Sequence, residues 1–172
     1  MSADNQQERL RLVGWIVGFV EGEGTFSISI FRNKTSSLGW QVFPEFVVTQ
    51  SDTGKGALER IKSFFGCGAI YRNTRYDNHR KDLYRYCVRK VEDLSTKIVP
   101  FFQDNPMVTG KAKDFGGFVE GLKRIRNGEH LTDKGLREIA MIAEKMNRKI
   151  QSKFSESSET IRQAPRETAE KI

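Results

Sequence analysis

The amino-acid sequence predicts an α+β fold in which four strands form one sheet, with helices on one of its faces. Three observations support this prediction. Near the start of the 172-residue chain, a helix is predicted over residues 6–22, and its residues 12–20 are almost wholly apolar. Two strands, a helix with a one-sided apolar stripe and a second pair of strands follow it. A third helix, ending near Phe102, completes an α-β-β-α-β-β-α order that leaves the other face of the sheet open.

The first helix has little polar surface over residues 12–20, so it is expected to be buried all round. Gly14, Gly18 and Gly22 recur at every fourth position, and such a stripe of small residues lets a second backbone approach closely. The helix is expected to end where Glu23 lies between two glycines.

Alternation of side chains predicts the first two strands. Residues 25–32 alternate apolar and polar side chains, with Phe26 on the apolar face. After a polar turn, residues 40–50 form the second strand. Pro44 within it indicates an irregularity or a sheet edge, because proline cannot donate a ladder hydrogen bond.

The middle of the chain repeats this arrangement. A polar turn leads into the second helix, whose apolar stripe includes Leu58. Residues 69–74 and 83–89 are predicted to form a hairpin joined by a polar loop. The third helix is expected to begin at Glu92 or Asp93.

Two further helices are predicted beyond this core. Residues 111–127 carry apolar side chains at helical spacing, and residues 131–134 look like the cap of a last helix with a clean apolar stripe. Residues 1–150 are therefore expected to form a single domain. Residues 151–172, rich in Ser, Glu and Arg, are expected to be a mobile polar tail.

Composition favours a nucleic-acid partner. The formal net charge is +7 and the pI is about 9.5. Lys and Arg outnumber Asp between Arg72 and Lys90, where tyrosines are interleaved, as on surfaces that bind nucleic acids. A solvated basic face is the alternative. No apolar run is long enough to span a bilayer and no secretion signal is visible, so an intracellular protein without a membrane partner is expected. Cys67 and Cys87 are expected to be free thiols on strands.

Residues 16–24, IVGFVEGEG, resemble the signature of the LAGLIDADG homing endonucleases, an apolar helix followed by two acidic residues that alternate with glycine. Glu replaces Asp at both acidic positions. Residues 46–50, 111–115 and 130–136 are similar to later fragments of the family's single-motif branch, and the resemblance covers about residues 12–147. It implies an αββαββα core with a four-stranded, antiparallel, saddle-like sheet, plus C-terminal helices.

The resemblance also implies a metal-dependent active site. Glu23 would bind Mg²⁺ or Mn²⁺ together with the Gly22 carbonyl oxygen, since hard cations prefer oxygen ligands. Ca²⁺ is expected to bind without supporting cleavage. Gln50 and Lys111 match family positions that orient water and stabilise charge in the transition state, and Lys113 is the alternative to Lys111. A glycine-rich helix end with exposed glutamates is the plain structural alternative.

One motif implies that one chain supplies half of a site, and therefore that the protein is a homodimer. Gly14, Gly18, Glu21 and Gly22 are expected at the interface, although a solvated carboxylate explains Glu21 nearly as well. The outward strand faces are expected to read double-stranded DNA in the major groove, where Arg reads guanine and Asn or Gln reads adenine; ordinary strand alternation is the alternative for each residue. The candidate readout residues are Ser27, Ser29, Phe31, Asn33, Gln41, Glu45, Tyr71, Asn73, Arg75 and Arg85.

Together these expectations describe a site-specific homing endonuclease that hydrolyses phosphodiester bonds and makes a double-strand break in a long, near-palindromic site. The resemblance implies an intron-encoded protein of a chloroplast, a mitochondrion or a prokaryotic cytoplasm. Two alternatives stay open: an RNA-binding maturase that assists the splicing of intron RNA, and a DNA-binding protein that does not cleave. Both acidic positions of the motif are filled, which favours catalysis.

Overall fold

The computed structural model describes residues 3–73 and 82–146. In chain order, the seven elements of the predicted core come first, and the third helix is built of three short consecutive segments. The elements are α1 (Ala3–Glu23), β1 (Gly24–Arg32), β2 (Trp40–Ser51), α2 (Lys55–Phe65), β3 (Ala69–Asn73), β4 (Leu83–Val88), α3 (Val91–Asp93), a π-helical turn (Leu94–Ile98), α4 (Val99–Asp104), α5 (Lys111–Arg126) and α6 (Asp133–Met146).

The four strands form one antiparallel sheet in the order β1-β2-β4-β3, which confirms the predicted fold class. β2 and β4 are the inner strands. Gly24 of β1 pairs with Val48 of β2, and Val48 pairs in turn with Tyr86 of β4. The register therefore runs without a break from the end of α1 to the middle of the sheet.

The hydrophobic core lies between one face of the sheet and the helices, and aromatic rings fill its centre. The Phe26 ring stacks on Phe46 with centroids 5.0 Å apart, and meets Phe102 at 5.4 Å and Phe118 at 5.5 Å. These four side chains are almost completely buried. Because rings in such offset and edge-to-face contacts hold one another in place, they fix α4 and α5 against the sheet.

The outcome for α1 differs from the expectation that it is buried all round. Ile16 and Val20 are fully buried, but Gly14 and Gly18 are exposed. Successive helical positions are about 100° apart, so Gly18 stands on the side opposite both buried residues. One face of this helix is therefore not covered by any other described part of the chain.

Pro44 lies at a local edge of the sheet, one of the two situations that the sequence suggested, and its pairing with β1 is regular. β2 is an inner strand, but its pairing with β4 begins only at Phe46, so Pro44 has just one neighbouring strand, in which it faces Ile28. The missing N–H of proline costs no ladder bond on the unpaired side. Of the cysteines, both free thiols, Cys87 lies on β4 as expected, whereas Cys67 lies in the turn before β3.

The two helices beyond the core also form where they were predicted. The Thr132 hydroxyl oxygen accepts a hydrogen bond from the Gly135 N–H at 3.1 Å, which confirms the cap of α6. The end of the predicted domain, 147–150, and the predicted tail, 151–172, lie outside the described residues. Within the described residues, no helix is long and apolar enough to cross a membrane.

Candidate functional site

The acidic end of α1 is joined to the sheet with no intervening loop. Glu23 is the last residue of α1 and is exposed, and Gly24 is the first residue of β1 and is buried. A Cβ atom on Gly24 would lie 2.6 Å from Val20 Cγ1 and 2.7 Å from the Val20 carbonyl oxygen. Since real Cβ atoms do not approach backbone that closely, this junction requires glycine, and the second glycine of the motif sets where Glu23 stands.

Lys111, at the start of α5, is brought to this junction. Its Nζ donates a hydrogen bond to the Gly24 carbonyl oxygen. Burial lowers the pKa of Lys111, while the charges of Asp114, Glu23 and Glu21 act in the opposite direction. Lys113 is exposed and lies two residues further along α5. Of the two lysines that the sequence offered, Lys111 is the one held beside Glu23.

Glu21 anchors the segment that carries Lys111. Its Oε1 atom accepts hydrogen bonds from the Val108 N–H at 2.7 Å and from the Thr109 N–H at 2.8 Å. The Thr109 bond is the main reason that the pKa of Glu21 lies below its ordinary value. Sequence reasoning expected Glu21 at a dimer interface. Within the chain this carboxylate ties the turn before α5 to the end of α1, and its place at a dimer interface stays a prediction.

Gln50 lies at the same end of the sheet. Gly24 pairs with Val48, and Gln50 is two residues further along β2, on the same face as Val48. Its side chain packs against Gly54, where an added Cβ would lie 2.4 Å from the Gln50 Oε1 atom. The structure thus places Gln50 near the motif, and its side-chain amide makes no hydrogen bond to another described residue.

The groups at the end of α1 suit a hard divalent cation. Glu23 offers an exposed carboxylate, and the last carbonyl groups of a helix, including that of Gly22, lack intrahelical partners. Among residues 3–73 and 82–146, no three His, Cys, Asp or Glu side chains come together as a metal site. The carboxylate and carbonyl oxygens at this helix end therefore fit Mg²⁺ in kind.

The glycine stripe of α1 faces open space. A Cβ atom added at Gly14, Gly18 or Gly22 would meet no atom within 4 Å. No described residue therefore requires glycine at these three positions. A stripe of small residues that no described part of the chain covers is expected of a surface against which a second backbone packs.

The face of the sheet opposite the helices carries most of the predicted readout residues, at every second position of the strands. Ser27 pairs with Glu45, Phe31 with Gln41 and Tyr71 with Arg85, so these side chains share that face. It also carries Ser29, opposite Phe43, and Asn73, opposite Leu83. Phe31 and Tyr71 are 41% and 47% exposed, which is unusual for large rings on a solvent-facing sheet.

Two of the predicted readout residues form a hydrogen bond with each other, and a third is not among the described residues. Asn33, in the turn between β1 and β2, donates from Nδ2 to Gln41 Oε1 at 2.8 Å. Arg75 lies outside the described residues. This bond joins the turn between β1 and β2 to the start of β2 at the edge of the open face.

Glu45 differs from the expectation for a readout residue. It is only 9% exposed, and its carboxylate accepts hydrogen bonds from Arg89 Nε at 2.5 Å and Arg85 Nη2 at 3.3 Å. Sequence reasoning did not select Arg89. The signal was present, because Arg89 follows Arg85 at an even spacing just past the end of β4 and so falls on the same face.

Comparison with known proteins agrees with this geometry. The family model described as LAGLIDADG endonuclease matches residues 16–121, which begins inside the motif helix and ends on α5. The chain belongs to the LAGLIDADG endonuclease family. This confirms the resemblance drawn from residues 16–24.

Two curated relatives are about 30% identical to this chain over the regions that match. Probable intron-encoded endonuclease 3 of Neurospora crassa is 32% identical over 80% of this chain, but the match spans 25% of that protein. DNA endonuclease I-CeuI of Chlamydomonas moewusii is 28% identical over 67% of this chain and 53% of its own length. The chain thus spans about a quarter of the length of the fungal relative and about half of the algal one.

Solved structures of LAGLIDADG proteins superpose over most of the chain. The homing endonuclease I-TnaI is 38% identical with a TM-score of 0.77, covering 87% of this chain and 97% of that one. I-SmaMI bound to cleaved DNA is 29% identical with a TM-score of 0.73, covering 79% of this chain and 44% of that one. This fold therefore matches nearly all of one solved chain and about half of another.

Proposed function

We propose that this chain is a site-specific DNA endonuclease that hydrolyses phosphodiester bonds with the help of a divalent cation. The observation that supports it most directly is the placement of Lys111 beside Glu23, through its bond to the Gly24 carbonyl. An ammonium group next to an exposed carboxylate is the pairing expected where a cation is to be bound and negative charge on a phosphate is to be stabilised. The family membership and the I-SmaMI structure with cleaved DNA support the same reaction.

Each residue has a separate task in this proposal. The Glu23 carboxylate and the Gly22 carbonyl oxygen hold Mg²⁺ or Mn²⁺, which when bound would make a water molecule more acidic and neutralise charge on the scissile phosphate. Lys111, fixed at Gly24, offers its positive charge to the reacting phosphate. Gln50 orients water at the same end of the sheet. Ca²⁺ would fill the site without supporting cleavage, and I-SmaMI has been solved with uncleaved DNA in the presence of calcium ions.

The open face of the sheet is proposed to bind the DNA target. Most of its outward side chains are polar or aromatic, and the chain as a whole has a formal net charge of +7. A curved antiparallel ribbon enters the major groove, where base edges differ from one pair to the next. Because phosphate contacts release counterions, affinity should fall steeply as salt increases.

A homodimer completes the proposed site. One chain offers one Glu23, whereas hydrolysis of both strands needs two centres. The uncovered stripe of Gly14, Gly18 and Gly22 would pack against its symmetry copy, which brings the two Glu23 residues near a twofold axis. A twofold protein calls for a near-palindromic target. I-TnaI, matched over 97% of its chain, is of similar size.

The names of the relatives suggest where the protein acts. The Neurospora protein is called intron-encoded, and a Podospora anserina relative of 32% identity is described from ND4 intron 1. We propose that this chain is likewise encoded within an intron and acts inside an organelle or a prokaryotic cell.

The test is cleavage of a plasmid library with randomised inserts, with Mg²⁺ or EDTA, followed by sequencing of the cut ends. Glu23→Gln keeps the shape of the side chain and removes a metal ligand, so DNA binding should persist while cleavage falls by orders of magnitude. Glu120→Gln is the matched control: it lies in an FVEG segment like that of the motif, but on the exposed side of α5. A Glu23→Gln protein that cuts at the wild-type rate would overturn the metal assignment.

A further inference from the structure

A compact group of side chains stands on the open face of the sheet where β2 and β4 meet. We name it the Glu45 cluster; it comprises Phe43, Glu45, Tyr71, Arg85 and Arg89. Phe46 pairs with Val88, so the same register places Arg89 directly across from Glu45. The cluster is thus built from three neighbouring strands and the residue that follows β4.

The Glu45 carboxylate is the centre of the cluster. A buried carboxylate is unfavourable unless it is paired, and Glu45 is paired twice, by Arg89 through Nε at 2.5 Å and by Arg85 through Nη2 at 3.3 Å. The two arginines neutralise a carboxylate that, if unpaired, would repel the phosphates of DNA from this face. Two cations against one anion leave the cluster with an excess positive charge.

Aromatic rings hold Arg89 from two further directions. The centre of its guanidinium lies 4.9 Å from the Tyr71 ring centroid and 5.5 Å from that of Phe43. Yet the side chain is 39% exposed. An arginine on a protein surface ordinarily loses much rotamer freedom when it binds, and one that is already held by a carboxylate and two rings loses less.

The donors of Arg89 are divided between the protein and the solvent. Its bond to Glu45 uses Nε, and the two terminal nitrogens make no hydrogen bond to any described residue. Those nitrogens form the fork that binds O6 and N7 of guanine in the major groove. A lysine could supply charge here, but neither the fork nor the flat surface that stacks on the rings.

We propose that Arg89 reads a guanine in each half of the DNA site, and that Glu45 is the positioning residue that fixes its guanidinium for this contact. The inference rests on the proposed function, because it requires a specific DNA target. It assigns the discrimination at one base position to an arginine that the sequence had not indicated. It also gives a carboxylate on a DNA-binding face a role other than accepting from cytosine.

The experiment compares Glu45→Gln and Arg89→Lys with the wild type on a randomised double-stranded DNA library, by enrichment of bound DNA and sequencing. Arg137→Lys is the matched control, since that arginine pairs with Asp133 on α6, in the helical layer. Wild type and control should require guanine at one position of each half-site. Both test variants should lose about tenfold in discrimination at that position alone, the usual worth of one bidentate contact.

A second measurement tests the contact atom by atom. Replacing the selected guanine with 7-deazaguanine removes N7, so it should weaken binding of the wild type and leave Arg89→Lys almost unaffected. Circular dichroism melts of each variant establish that it folds. If folded Glu45→Gln or Arg89→Lys keeps the wild-type preference at every position, the inference is wrong while the proposed function stands. If the wild type enriches no sequence, both fall together.

Discussion

Substitution of Gly18 should stabilise the single chain and weaken its association, and these opposite effects make the residue a sharp test of the dimer. An added Cβ there meets no atom within 4 Å, so the chain's own packing does not exclude a side chain. Glycine within a helix is less favourable than alanine by about 0.5–1 kcal/mol. Gly18→Ala should therefore raise the melting temperature of the unassociated chain by roughly 1–4 °C.

Gly18→Leu should instead disrupt the contact between two copies of α1. Forcing extra methylene groups into a close-packed contact costs roughly 1–3 kcal/mol. A twofold axis places the substitution in the interface twice, giving roughly 2–6 kcal/mol in all. This corresponds to a dissociation constant that rises roughly 30-fold to 10⁴-fold. Cleavage of both strands should fall with it.

Analytical ultracentrifugation over a range of protein concentrations measures the association directly. The melting temperature of the wild type should rise with concentration, whereas that of Gly18→Leu should not, because only a dimer is stabilised by mass action. Lys134→Leu, on the first turn of α6, is the control for an added exposed leucine. The reasoning is refuted if Gly18→Leu associates like the wild type, or if the wild type stays near 19.7 kDa with DNA bound.

Two other measurements test the site and the core beside it. Glu21→Gln should slow single-turnover cleavage while DNA affinity and dimer mass stay unchanged, because the bonds of Glu21 to Val108 and Thr109 place Lys111. A wild-type cleavage rate, or a change in dimer mass alone, would contradict this role and favour a role of Glu21 at the dimer interface. Burial raises the pKa of the Cys67 thiol, so its thiolate forms only at higher pH. Alkylation by iodoacetamide should then be slower near pH 8 than for the same thiol in urea, and equal rates would contradict this.

The sequence predicted the fold well because local patterns and tertiary packing agree along most of the chain. The alternation in β1, with Phe26 buried, predicts a half-buried strand, and the apolar stripe of α6 predicts a helix packed on one side; both agree with the fold. The π-helical turn at 94–98 was not foreseen. Its side chains suit an ordinary helix, and the insertion is visible only once Leu94 and Ile98 pack in the core.

The candidate site was predictable only in part. Glu23 and Lys111 could be found because each lies in a recognisable fragment, and the fold then decided between Lys111 and Lys113. The task of Glu21 could not be found, since its partners are backbone N–H groups 87 and 88 residues away, which carry no sequence signal. Arg89 was missed for a related reason: its importance comes from the burial of Glu45, and burial on a supposedly solvent-facing strand is a property of the assembled sheet.

The geometry of a helix explains why two glutamates so close in sequence can serve different ends. Positions 21 and 23 stand about 200° apart around α1, so their carboxylates leave the helix on nearly opposite sides. The Glu21 carboxylate accepts two hydrogen bonds from the turn at 108–109, while Glu23 stays exposed at the end of the helix. The glycine between them belongs to the uncovered stripe. Three consecutive residues thus face the turn before α5, the expected partner and the proposed cation, so removing the carboxylate at position 21 alone would leave the segment that carries Lys111 without its anchor.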